Sequence, residues 1–289
     1  MDEVAHDVDM APRAGGKRMA GHVTGLVVVV LLLLRVAVAL VSLTLDPSLA
    51  WLVSAAASTG MYVVLGGLIA RESGRLDHFY QDRISIGIFA LSGPYLALTS
   101  PGIGLCGLAL VGYSAAAVFV FRSFKGGRAR LAPVGVEHLR WIVRGLLSGG
   151  SLAILLAFAR IALGEHALVV DSTPVAARIA SVLGTFLSQL SYTSALEEPL
   201  YRGFLLGLLR GKGIKPLGLV ASQALLFWIA HLNYLTTPFT FWIAVPAAAV
   251  LLGWLTVRSG SIASGMMAHA MYNAMGFSAL VVASSFLRS

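Results

Sequence analysis

Two adjacent carboxylates, Glu197 and Glu198, sit with Arg202 inside an apolar run extending from about residue 175 to 209. Two later apolar runs repeat the device. One carries Phe227 and His231, the other His269 and Asn273, each pair four residues apart. On a helix, residues at i and i+4 share a face. Glu198 and Arg202 are therefore placed to neutralise each other, while Glu197 points about 100° away. A carboxylate and an imidazole facing one cavity can hold and deprotonate a water. A second histidine and an amide can donate to a developing oxyanion. Such a group would hydrolyse an acyl bond, most naturally a peptide, and no G-x-S-x-G nucleophile elbow accompanies it. Glu197, His231 and His269 are also candidate ligands for a divalent metal such as Zn²⁺ that would activate water. They lack the compact two-histidine spacing of H-E-x-x-H.

The elements that must position these residues are membrane helices. Of 289 residues, 57% are hydrophobic and 12% charged, with a mean hydropathy of +0.84. Soluble domains carry about twice that charge. Apolar runs near twenty residues point to an all-α polytopic membrane bundle. Runs such as 26–34 lack the period-two alternation of an outer-membrane barrel. The lone cysteine, Cys106, lies in an apolar segment and forms no intrachain disulfide. The net charge of +8 comes from arginines and lysines in short loops, so it reports topology and not nucleic-acid binding.

Nine segments are expected, near 22–45, 49–70, 84–98, 102–121, 141–164, 175–209, 216–235, 239–257 and 261–287. The third is short and contains Gly93-Pro94, so eight is the alternative. The first resembles a signal peptide at Lys17-Arg18 and Ala37-Val-Ala39, but its apolar run continues to Leu45, as an uncleaved helix would. With residues 1–21 as a disordered cytoplasmic tail, the alternate loops collect 16 of the 21 basic residues on one side, the cytoplasmic one. The loop from Lys125 to Arg140 divides the membrane helices of 22–140 from the site-bearing part, 141–289.

Counted from the cytoplasmic ends at 1.5 Å per residue, Glu198 lies roughly 18 Å deep, His231 roughly 24 Å and His269 roughly 17 Å. These depths overlap near the middle of the bilayer, slightly toward the cytoplasm. Pro199 should kink its helix beside the carboxylates. Arg35 is read as a snorkelling or packing residue and Phe227 as packing. Tyr201, one turn from Glu197, is placed to line the cavity or to pack. Gln189, Ser191 and Tyr192 are read as cavity lining or interhelical glue. Buried Glu, Arg and His also mark ion pathways, so a transporter or proton relay is the second reading. A non-catalytic membrane scaffold is the third. No inverted repeat supports transport.

Glu197-Glu198-Pro-Leu-Tyr-Arg202, Phe227-Trp-Ile-Ala-His231 and His269-Ala-Met-Tyr-Asn273 together resemble the CPBP intramembrane proteases, also called the Abi or CAAX-protease family, which are related to Rce1-type prenyl-protein endopeptidases. The run Gly253-Trp-Leu-Thr-Val-Arg-Ser-Gly260-Ser-Ile is similar to the family's lead-in to its last histidine. The resemblance covers about residues 180–280. It implies Glu197 as the water-activating base oriented with His231, His269 and Asn273 at the oxyanion, and Glu198–Arg202 as a supporting pair. The substrate would be a peptide or membrane protein, with CAAX-type processing, peptide export or immunity, or cleavage of a membrane-anchored regulator as options. A lipid bilayer is the expected partner and nucleic acid is not. The excess of Arg over Lys hints at a bacterial, hence inner-membrane, setting.

Overall fold

The computed structural model describes residues 18–99, 106–125, 134–165, 169 and 171–288. Residues 1–17 of the expected tail and 126–133 of the expected dividing loop lie outside them. Among the described residues every regular element is helical. The chain runs through α1 (Arg18–Ser42), α2 (Pro47–Arg71), a 3₁₀ segment (Ser73–Phe79), α3 (Arg83–Thr99), α4 (Cys106–Lys125) and α5 (Val136–Ala162). It continues as α6 (Val175–Gln189), α7 (Ala195–Glu197), α8 (Leu206–Gly211), α9 (Pro216–Ile229), α10 (Val245–Ser259) and α11 (Ile262–Arg288). Stretches Leu190–Ser194, Glu198–Leu205 and Thr240–Ala244 are π-helical.

Among the described residues, four helices are long and apolar enough to cross a membrane: His22–Ser42, Pro47–Arg71, Val136–Ala162 and Thr240–Ser259. A bent pair in α11, Ile262–Gly276 and Ser278–Leu287, would make a fifth. This is fewer than the nine expected, for local reasons. The third segment yields only 17 helical residues around Pro94, and α9 only 14. The sixth is broken by π turns. Large apolar side chains such as Leu26, Leu33, Leu147 and Leu155 stay exposed, and contiguous exposed apolar surface of this kind suits lipid. α1 begins at Arg18, inside the stretch expected to be tail.

α5 and α11 pack most closely. A Cβ at Gly145 would lie 2.3 Å from the Ser264 carbonyl oxygen, and one at Gly149 would lie 2.2 Å from that of Ala268. The Gly145-x-x-x-Gly149 spacing lets two backbones touch, as small residues do between membrane helices. Ala268 precedes His269, so this contact fixes where the histidine stands.

The ends of the helices that carry the basic loops are tied together by buried polar groups. The Asp82 carboxylate caps α3 by accepting from the backbone N–H groups of Ile84 and Ser85 at 2.7 and 2.9 Å. It also accepts from the Ser261 hydroxyl and lies 3.0 Å from His138 Nε2. The Tyr80 carbonyl accepts from Ile262 N–H at 2.8 Å. Arg210 donates to the His78 carbonyl at 2.9 Å, and its guanidinium lies 4.5 Å from the Tyr80 ring centroid. Burial, then the neighbouring Arg210 and Arg75, push the His78 imidazole below its ordinary range. Glu72 is buried between Thr24 and Arg75.

Candidate active site

Glu197 stands between two π-helical stretches. Pro199 cannot donate to the helical ladder, and the expected kink takes the form of a widened π turn over Glu198–Leu205 that contains it. Such turns commonly mark functional sites because they re-aim neighbouring side chains. Here the two adjacent glutamates, about 100° apart around the helix, face different surroundings. Glu197 lines a cavity of about 550 Å³, whereas Glu198 and Arg202 are fully buried behind it.

The cavity also collects His231 from the end of α9, and His269 and Asn273 from α11. His231 Nε2 and His269 Nε2 lie 3.9 and 3.8 Å from Glu197 Oε2, too far for a direct hydrogen bond. Glu197 Oε2 is buried and accepts no hydrogen bond from the protein. A water at this carboxylate oxygen can reach both rings. The outer nitrogens are already committed. His231 Nδ1 donates to the Phe227 carbonyl at 2.7 Å, which leaves its Nε2 lone pair facing Glu197. His269 Nδ1 donates to Glu198 Oε1 at 2.7 Å. Glu198 Oε1 in turn accepts from Arg202 Nη1 at 3.1 Å. Gly265 makes room for this arrangement, since a Cβ there would meet Glu198 Oε2 at 2.9 Å. Asn273 donates through Nδ2 to Gln189 Oε1 at 2.9 Å.

All six residues singled out by the motifs are thus brought together, four on the cavity wall and two beneath it. Phe227, expected only to pack, also lines the cavity. Its ring lies 4.1 Å from the Arg202 guanidinium carbon, and its carbonyl orients His231. Gln189 and Tyr192 line the cavity as expected, and Tyr201 packs edge-on against Phe227 with no exposure.

Arg35 is the residue that sequence reasoning misplaced. It does not snorkel to a membrane surface. Its guanidinium contacts Glu197 Oε1 and lines the same cavity. A cation seven residues before the end of α1 was the available signal, because an ionisable group within a membrane segment is a site candidate by default. Two guanidiniums, Arg35 and Arg202, now balance two carboxylates.

The metal alternative fits poorly. Among the described residues no three His, Cys, Asp or Glu side chains are arranged to hold a metal ion. A divalent cation on Glu197 would also confront the guanidinium that already neutralises this carboxylate.

Residues 178–275, about a third of the chain, match the family model described as type II CAAX prenyl endopeptidase Rce1-like. The matched stretch contains all six motif residues and excludes Arg35. The resemblance read from the motifs holds over that stretch, and the family is one of proteases. No curated protein and no solved structure matches the chain.

Proposed function

We propose that this protein is an intramembrane endopeptidase in which Glu197 activates a water for attack on a peptide carbonyl. The convergence of Glu197, His231, His269 and Asn273 on one cavity carries this reading.

A water at Glu197 Oε2 would give one hydrogen to the carboxylate and the other to His231 Nε2, leaving an oxygen lone pair free. As that oxygen bonds to the carbonyl carbon, its proton passes to Glu197. The carbonyl electrons move onto oxygen, to which His269 and Asn273 would donate. Because Nδ1 of His269 already donates to Glu198, the ring donates from Nε2 only when doubly protonated, with Glu198 as its counter-ion. Collapse of the adduct breaks the C–N bond, and Glu197 returns the proton to the leaving amine. Glu198 and Arg202 touch no reacting atom in this scheme; they position His269. Arg35 keeps Glu197 oriented and charged toward the cavity.

The substrate in this reading is a peptide or a membrane-protein segment. The setting in this reading is a bacterial cell membrane with the N-terminus in the cytoplasm, and nine crossings require the short helices α3 and α9 and the broken sixth segment to span it as well. Purified protein in detergent, without any ion gradient, should cleave peptides. Activity that required a gradient would instead favour transport.

A further inference from the structure

We infer that the site opens to the membrane face opposite the basic loops, so that its substrate is a peptide segment presented from the non-cytoplasmic side. The direction of opening follows from the cavity walls and stands without the peptidase reading; only what enters the cavity rests on it.

Along their own helices Glu197, Leu252 and His269 are the lining residues nearest the basic loops. Every other stretch of its lining lies on one side of them. On α1 the wall runs from Arg35 to Ser42, the last residue of that helix. On α2 it includes Ser54, two turns from the helix start. Asn233 and Tyr234 follow the end of α9, and Thr240 precedes α10. These are the ends of the helices remote from the basic loops. In the other direction the space is filled. Leu76, Phe79, Tyr201, Phe204 and Met266 are at most 1% exposed. Below them, the buried contacts of Asp82 with Ser261 and of Tyr80 with Ile262 close the bundle. A core this dense admits neither water nor a peptide.

Charge then assigns the two ends to two sides. The closed end carries Arg71, Arg75, Arg140, Arg210, Lys212 and Lys215 among others. At the open end the described residues hold Arg160, Arg178 and Arg288, and Arg178 is matched by Asp171 at 3.3 Å. Basic loops stay in the cytoplasm, so the opening faces away from it. The depths counted from the cytoplasmic ends place the catalytic groups near mid-bilayer. The cavity continues from there outward. A cytoplasmic protein tail would meet the closed end.

Thiol accessibility tests this without reference to catalysis. The chain has one cysteine, Cys106, which is replaced by Ser. Single cysteines are then introduced as Asn233→Cys at the mouth and Lys212→Cys at the closed end. Right-side-out and inside-out vesicles of the full chain are treated with a membrane-impermeant maleimide. The expected result is modification of Asn233→Cys only in right-side-out vesicles and of Lys212→Cys only in inside-out ones. The reverse pattern, labelling of both from one side, or an Asn233→Cys that reacts from neither side would each overturn the inference. In a parallel arm, an impermeant peptide is added to each vesicle type bearing the unsubstituted chain. Cleavage confined to inside-out vesicles would overturn the inference. The expected labelling with no cleavage in either vesicle type would leave the opening in place and count against the peptidase reading alone.

Discussion

Arg35 of α1 and Glu197 of α7, 162 residues apart in sequence, meet in a direct ion pair on the wall of the cavity. The pair brings the first helix into a site whose other charged and imidazole groups all come from residues 178–275. It makes Glu197 an oriented carboxylate with one oxygen held by the guanidinium and the other turned to the two imidazoles. In the proposed reaction, Arg35→Met should lower kcat by about tenfold or more, the scale of a misaligned general base, with little change in KM. Arg35→Lys should recover part of the loss. In a cycle with Glu197→Gln, the two kcat losses should fall well short of adding, as expected for residues in contact. Additive losses would separate Arg35 from the function of Glu197.

Glu198 and Arg202 carry a different expectation because neither side chain has any exposure. Glu198→Gln leaves a buried guanidinium with a weaker partner, a change that typically costs about 3–5 kcal/mol. The purified yield and melting temperature should fall together with activity. Arg202→Gln added to it should recover part of the stability, since both charges are then gone, while His269 still lacks its counter-ion and activity stays low. A Glu198→Gln variant that melts like the parent would contradict the supporting role.

The close approach of α5 and α11 predicts a purely steric defect. A methyl at position 149 would sit 2.2 Å from the Ala268 carbonyl oxygen, and backbone cannot turn aside as a side chain does. Gly149→Ala should cost about 1–3 kcal/mol, as overpacked interiors do. It should also displace His269 enough to reduce cleavage. Gly150→Ala is the control, because a Cβ there meets only Met271 at 3.6 Å.

His78 lies in the 3₁₀ segment at the closed end, outside the membrane-crossing helices, and its pKa is lowered by burial and by Arg210 and Arg75. The unfolded chain therefore binds a proton at this position more readily than the folded one. Stability from this group is present above the ordinary histidine pKa of about 6.5 and is lost as pH falls below it. Melting temperature should drop between pH 7 and pH 5, and His78→Gln should show a smaller drop. An equal drop in both proteins would mean that His78 contributes nothing to the acid sensitivity.

The chemistry was legible wherever polar residues interrupt apolar runs at a spacing that fixes their face. Glu198 with Arg202, and His269 with Asn273, fall in that class, and their depths agree because the helices carrying them are packed side by side. Arg35 has no i+4 partner within α1; its partner arrives from a distant helix, and only the tertiary fold brings them together. The widened turns around Glu197 were equally hidden. Pro199 announces a break in the ladder but not the π form it takes. Nine apolar segments are visible in the hydropathy, yet proline, π turns and short helices leave four or five, among the described residues, that are long and apolar enough to cross. The Gly145–Gly149 spacing is on view in the sequence, but the α11 backbone that it receives is not.

The same cavity makes a prediction about metals. Since Glu197 is already neutralised by Arg35 and the site lacks three ligands suitably placed, treatment with a membrane-permeant chelator should leave cleavage at the untreated rate. Loss of activity that returns on adding Zn²⁺ would show that the carboxylate serves as a metal ligand and would overturn the water-activation scheme above.

The most direct measurement incubates detergent-purified protein with a peptide library in ¹⁸O-labelled water and identifies the products by mass spectrometry, for the wild type and for Glu197→Gln. The glutamine keeps the size of the side chain and can still accept from Arg35, but it cannot take the water's proton. The account predicts defined cleavage products from the wild type with ¹⁸O in the newly formed carboxyl groups. It predicts a rate for Glu197→Gln lower by about a hundredfold or more, within the range attributed to a general base. Cleavage by Glu197→Gln at the wild-type rate, or wild-type products lacking the label, would contradict it.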